Sequence, residues 1–200
     1  MTQEASQTRH RQRQQKIKER VDQRVAAAQD IRGIIIIFTG NGKGKSTAAF
    51  GTVTRAVGHG LKAGVVQFIK GGWECGERNL LQQHGVEFHV MATGFTWETQ
   101  NKDTDTAAAL SVWQEGKRML SDASLNLVVL DELTYMVNYG YLELDDVLSA
   151  LKQRPNHQTV IITGRGCHRA ILKLADTVSE LRPVKHAFDA GIKAQKGIDW

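Results

Sequence analysis

The apolar residues of the chain fall into short runs separated by longer amphipathic stretches, and the two periods alternate from residue 34 onward. Ile34-Ile35-Ile36-Ile37-Phe38 is a run of β-branched and aromatic residues ending in glycines, which predicts a strand buried on both faces. Gly64-Val65-Val66-Gln67-Phe68-Ile69 and Leu125-Asn126-Leu127-Val128-Val129-Leu130 predict two more strands. Val86-Glu87-Phe88-His89-Val90-Met91 alternates as a strand does, Thr159-Val160-Ile161-Ile162 is a further apolar run, and 177–181 reads as a last strand. Between them the spacing predicts helices over 47–59, stopped by Gly58 and Gly60, over 77–84, closed by Gly85, and over 105–120, with Ala107, Leu110, Trp113 and Met119 inward. Two more are predicted over 144–154, broken at Pro155, and over 168–175. Strands alternating with helices give an α/β class with a mostly parallel, doubly wound sheet. Residues 1–30 differ. They are rich in Gln and Arg, and only Ile17, Val21, Val25 and Ala28 recur at helical spacing. A solvated tail is the favoured reading of the free protein, and the alternative is a helix that orders when it has something to cover.

The first strand leads into Thr39-Gly40-Asn41-Gly42-Lys43-Gly44-Lys45-Ser46-Thr47. A buried strand, a glycine-rich loop and a helix make a phosphate-binding loop: glycines let backbone N–H groups curl around an anion, and the helix adds the positive end of its dipole. Lys45 would then reach the outer phosphates of ATP, and the Ser46 hydroxyl would ligate Mg²⁺. Gly40 and Gly44 enclose three residues where the usual spacing is four, so either Thr39 takes the first place or the loop is one residue tighter. The domain is therefore expected to be of the P-loop, RecA-like kind over 31–200, preceded by a basic extension over 1–30.

Other residues fall at the C-terminal ends of the strands, where open α/β sheets bind ligands. Asp131 and Glu132 end a buried strand, and acidic oxygen beside a phosphate loop is what a nucleotide-bound Mg²⁺ needs. Arg165, in Thr163-Gly164-Arg165-Gly166, would see phosphate or ribose, and Arg55 on the helix after the loop is grouped with the ATP-binding residues. Lys70 and Trp73 follow the second strand at this edge, and a role in the site stands level with the plainer readings of a solvated loop lysine and a surface-packed ring. The loop Gly94-Phe95-Thr96-Trp97-Glu98-Thr99 carries two large aromatics, which fit a small satellite core or a stacking platform for a flat ligand.

Charge and cysteine content narrow the classes. The net charge is +5, but residues 1–30 hold seven basic and four acidic side chains, so three of the five surplus charges sit there and the remainder is nearly balanced. That argues against a nucleic-acid partner. Cys75 and Cys167 are isolated, with no metal-ligand spacing, and read as reduced thiols. No apolar run approaches the ~20 residues of a membrane span, and the expected location is the cytoplasm.

The phosphate loop, the 94–99 loop, Leu130-Asp131-Glu132, Thr163-Gly164-Arg165 and Gly191-Ile192-Lys193-Ala194-Gln195-Lys196-Gly197-Ile198 together resemble the P-loop corrinoid adenosyltransferase family, in one order over about residues 8–200. Ser46 stands where the family pattern has Thr, which keeps the hydroxyl. The resemblance implies attack of Co(I) of a corrinoid on the 5′ carbon of MgATP, with inorganic triphosphate leaving. Lys45, with Lys43 and a Mg²⁺ on Ser46, Glu132 and Asp131, would stabilise the departing charge. Phe95 and Trp97 would displace the lower cobalt ligand so that a reduced flavodoxin-like flavoprotein can make Co(I), and Trp73 would also touch the corrinoid. It further implies a homodimer in which the 1–30 segment covers an active site. The absence of Asp-x-His-x-x-Gly, by which other B12 proteins donate a histidine to cobalt, agrees. Three other readings compete: a RecA-like, nucleic-acid-stimulated ATPase, a small-molecule kinase and a nucleotide-binding switch. None accounts for the Phe95/Trp97 loop.

Overall fold

A computed structural model describes the backbone of residues 3–69, 74–91 and 101–200 and divides the chain into two compact units, Met1–Ile31 and Arg32–Trp200. Lys70, Trp73, Phe95 and Trp97 lie outside the described residues.

In the first unit, Gln3–Ala27 forms a single 25-residue helix, α1, where the sequence favoured a tail. Its apolar content is low, and spacing of three to four residues supplies local support instead: Lys18 pairs with Asp22 at 2.7 Å and Gln15 donates to Glu19 at 2.9 Å. Ile17, Val21 and Val25 are exposed on it.

The second unit is built on one six-stranded, wholly parallel sheet. Its strands are β1 (Ile35–Thr39), β2 (Ala63–Gln67), β3 (Glu87–Val90), β4 (Leu127–Asp131), β5 (Thr159–Thr163) and β6 (Thr177–Glu180), in the order β3-β2-β4-β5-β1-β6. The chain starts at β1, one strand in from the β6 edge, and crosses to β2 and out to β3 at the far edge. It then returns through β4 and β5 and ends at β6 on the other side of β1. That reversal opens a crevice at the C-terminal ends of the strands.

Side-chain alternation divides the apolar runs between two cores. On one face, Ile35, Ile37, Val66, Val128, Leu130, Val160 and Ile162 pack with helices α4 (Lys102–Ser121), α5 (Leu133–Asn138) and α6 (Leu144–Gln153). On the other, Ala63, Val65, Leu127, Val129 and Ile161 pack with α2 (Lys45–Gly58) and α3 (Gly76–Gln83). A short helix α7 (Arg169–Leu172) and a 3-10 turn at Phe188–Ala190 complete the unit.

Three expectations for the helices need correction. The helix expected over 168–175 is only the four residues of α7. Helix α4 buries Asp105, Ala109, Val112, Trp113, Gly116, Met119 and Leu120, while Ala107 and Leu110 face solvent. Trp113 sets this phase: it is fully buried and its Nε1 donates to Asp146 Oδ2 at 2.7 Å on α6, which turns the helix away from Leu110. Helix α5 was not foreseen. Its six residues are too short to show a period, and its place in the core comes from Leu133 and Met136.

Candidate functional site

Helix α2 begins at Lys45, and the residue before it, Gly44, caps it with φ 108°, a left-handed conformation that favours glycine. The helix N-terminus therefore opens into a cleft of about 460 Å³ lined by Lys43, Gly44, Lys45, Ser46, Thr47 and Glu132 on one side. Gly76, Glu77 and Leu80 from α3 and Gly197, Ile198, Asp199 and Trp200 form the rest. An anion there meets the loop lysines and the positive helix end together.

The first half of the loop has a different task. The Gly42 N–H donates to Leu181 O at 2.8 Å, just past β6, and a Cβ on Gly40 or Gly42 would come within 2.4 Å and 2.8 Å of the Leu181 backbone. Gly40 and Gly42 are thus glycines because the chain beyond β6 presses on them. Neither these two nor the exposed Asn41 lines the cleft, whose loop residues run from Lys43 through Thr47.

Lys45 is almost wholly buried and its Nζ donates to Gly42 O at 2.9 Å. Burial pushes its ammonium below the ordinary value, the nearby Glu132 and Asp131 carboxylates oppose that, and the Arg165 charge adds to it. A phosphate in the cleft would favour the charged form. Lys43 is held within the lining of the cleft, with Nζ 2.6 Å from Asp199 Oδ1.

The two carboxylates at the end of β4 divide in function. Asp131 is fully buried: its Oδ1 accepts from Thr163 Oγ1 at 2.7 Å and its Oδ2 from Gln67 Nε2 at 3.2 Å. Gln67 and Asp131 are paired in register on β2 and β4, and Thr163 ends β5 beside them. The result is a polar rung across three strands at the binding edge. Thr163 Oγ1 also accepts from the Glu132 N–H at 2.9 Å, which holds Glu132 at φ 63°. Among the described non-glycine residues only Glu132 has a positive φ, and such a conformation survives where its surroundings fix it. Glu132 reaches the cleft with Ser46; Asp131 lies beneath and orients it.

Arg165 sits in an exposed turn pinned from α5, where Thr134 Oγ1 donates to Arg165 O at 2.8 Å and Asn138 Nδ2 to Gly166 O at 2.9 Å. Its charge reaches Lys45 and Tyr135, although it does not line the cleft. Arg55 is not brought to the cleft. It is exposed in the last turn of α2, and ten residues of helix carry it roughly 15 Å beyond Lys45.

Sequence reasoning missed Gln67, Thr163 and Thr134 as supports of the site. The signal was present for the first two: an apolar run ending on one polar residue at the binding edge, as in Val65-Val66-Gln67 and Ile161-Ile162-Thr163. A separate cluster of Glu87, His89 and Glu115 has its place for a cation taken by Arg118, which pairs with both carboxylates and ties β3 to α4. No helix among the described residues is long and apolar enough to cross a membrane.

Residues 31–200 match the family model "ATP:corrinoid adenosyltransferase BtuR/CobO/CobP", and residues 1–25 match "Cob(I)alamin adenosyltransferase N terminal". The chain belongs to this adenosyltransferase family. It is 75% identical to the corrinoid adenosyltransferase CobA of Salmonella typhimurium and 74% identical to the corrinoid adenosyltransferase of Escherichia coli, in each case over 98% of this chain and 100% of the relative. The corrinoid adenosyltransferase of Pseudomonas aeruginosa is 50% identical over 96% of each chain. Among solved structures, the flagellar accessory protein FlaH of Methanocaldococcus jannaschii superposes with a TM-score of 0.51 over 74% of this chain and 71% of that one, at 11% identity. That likeness concerns the fold alone and agrees with the expected α/β P-loop architecture.

Proposed function

We propose that this member of the adenosyltransferase family binds MgATP in the Lys43–Glu132 cleft and passes the 5′-deoxyadenosyl group to Co(I) of a corrinoid. The observation that carries the reading is the joining of two lysines, the Ser46 hydroxyl, a helix N-terminus and the Glu132 carboxylate on one cleft in a chain of this family. In the reaction the Co(I) electron pair forms the bond to C5′, the C5′–O bond breaks, and the pair leaves with inorganic triphosphate. Co(I) is a strong nucleophile, so the chain needs no general base and its task is electrostatic.

Lys45 supplies most of that task. Its ammonium is already desolvated and aimed from the loop, so growing charge on the leaving phosphate meets a donor that needs no reorganisation. Thr47 and the first turn of α2 add N–H groups and the helix dipole. Arg165 lends positive charge from the opposite turn. Ser46 and Glu132 fit a hard cation, offering a hydroxyl and a carboxylate whose backbone is fixed by Thr163, and a Mg²⁺ held there would neutralise phosphate charge. Asp131 acts from below by holding Thr163.

The corrinoid surface of this reading includes Phe95, Trp97 and Trp73, with the two loop aromatics excluding a lower cobalt ligand while a reduced flavodoxin-like flavoprotein delivers the electron. The 1–30 segment would cover the bound corrinoid in a homodimer. Exposed apolar residues on α1 (Ile17, Val21, Val25), on β6 (Val178) and in the chain after it (Val184, Phe188) support both contacts. A cytoplasmic location fits two reduced cysteines. The family match does not favour a nucleic-acid-stimulated ATPase.

The test is anaerobic: chemically reduced cob(I)alamin and Mg-ATP are mixed with the protein, and the corrinoid spectrum and phosphate products are followed. A light-sensitive cobalt–carbon product with triphosphate released is expected. ADP with no alkylated corrinoid would overturn the reading.

A further inference from the structure

The lining of the cleft combines two chemistries. Lys43, Lys45, Ser46 and Glu132 supply polar lining, while Leu80 of α3 and Ile198 and Trp200 supply apolar lining. Leu80 is 53% and Ile198 69% exposed. Single exposed apolar side chains are ordinary. Two exposed ones together with the half-buried Trp200 on one cleft, beside a phosphate loop, are a surface that triphosphate alone does not use.

The 195–200 turn is built to stay there. Asp199 N donates to Gln195 O at 2.8 Å, Gln195 N to Asp199 Oδ2 at 2.8 Å, and Gly197 N to Trp200 O at 2.8 Å, so the turn closes on itself. Asp199 Oδ1 then fastens it to the phosphate loop through Lys43. An unpaired carboxylate in that position would repel a triphosphate. Paired with Lys43, it contributes little net charge and sets the distance between loop and turn.

We propose that the 195–200 turn is the nucleoside-discriminating wall of the cleft: Ile198 and Trp200, with Leu80, take the adenosine end of ATP, and Asp199 is the positioning residue that pins this wall to Lys43. The proposal rests on the nucleotide reading above and gives the turn a task separate from phosphate binding. A flat, weakly polar base suits an indole and two aliphatic side chains, and the wall sets where C5′ lies once the phosphates are seated.

The experiment compares two probes on the full chain by calorimetry with Mg²⁺ present: ATP and inorganic tripolyphosphate, which has the phosphates and no nucleoside. Wild type should bind ATP more tightly than tripolyphosphate. Trp200→Ala and Ile198→Ala should each weaken ATP by about tenfold, the worth of one such contact, and leave tripolyphosphate within about twofold. Trp200→Phe should restore most of the ATP affinity. Asp199→Ala should narrow the gap between the probes, because tripolyphosphate gains a freed Lys43 while ATP loses its wall. Equal losses of both probes in Trp200→Ala, or no loss of ATP, would overturn the proposal. If wild type binds both probes equally, the wall fails and the phosphate site stands. If it binds neither, the nucleotide reading fails and the wall with it.

Discussion

The Thr163 hydroxyl joins the sheet to the cleft, and its removal is the sharpest test of how Glu132 is held. Thr163→Val keeps the shape and deletes Oγ1, which donates to the buried Asp131 carboxylate at 2.7 Å and accepts from the Glu132 N–H at 2.9 Å. Losing the charged bond costs about 2 kcal/mol and the neutral one about 1 kcal/mol, roughly 3 kcal/mol in all. Thr163→Ser keeps the hydroxyl and loses one methyl, about 1 kcal/mol. The gap between the variants is then about 2 kcal/mol, or roughly 4–8 °C in Tm for a domain of this size. Circular dichroism melts of the two proteins measure it directly. Glu132 should also relax from its left-handed conformation in Thr163→Val, which costs about 1–2 kcal/mol to hold, so the Mg-ATP requirement of turnover should rise in Val and not in Ser. Equal melting of the two variants would refute the account of the rung, because the methyl lost in Ser is worth only about 1 kcal/mol against roughly 3 kcal/mol for the two bonds lost in Val.

Three further outcomes are expected. Asp176 accepts from both Arg32 guanidinium nitrogens and from the Ile35 N–H, and first the Arg32 bond and then that backbone bond hold its carboxyl below the ordinary value of 3.8. Its folded value is depressed, so its stabilisation is present above about pH 4 and is lost as pH falls through the folded value. Asp176→Asn should therefore flatten the stability profile below pH 4 in denaturant titrations, and an unchanged acid slope would count against the pairing. Gly164 has φ 137° and a Cβ there would meet Thr134 Oγ1 at 2.0 Å, so Gly164→Ala should lose about 3 kcal/mol on chemical unfolding. Adding Thr134→Ala should return part of it, and additivity would argue against the clash. Burial pushes the Cys167 thiol to about 11, so its alkylation by iodoacetamide should be slow at pH 8 and climb steeply above pH 10. Rapid labelling at pH 8 would contradict this.

The elements were legible where local pattern and tertiary placement agree. A strand buried on both faces must be apolar throughout, so Ile34–Phe38 and Leu127–Leu130 announced β1 and β4 without help from the rest of the chain. The phosphate loop was legible because its glycines and lysines are contiguous. Helix α5, the inward phase of α4 and the shortening of 168–175 to α7 were not, since each depends on which neighbour a side chain meets. Leu110 is as apolar as Leu120, yet Trp113 anchored to Asp146 puts one in solvent and the other in the core.

By itself, then, the sequence determined the alternation of strand and helix, the parallel sheet, the phosphate loop and the resemblance that led to a corrinoid adenosyltransferase family. These rest on periods and motifs that read within a few residues. Only the tertiary structure decided that Asp131 supports while Glu132 reaches the cleft, that Gly40 and Gly42 make room for Leu181, and that Asp199 comes to Lys43 across 156 positions of chain. Such pairings follow from the order in which parallel strands are laid down, and that order brings together residues with no local signal of one another.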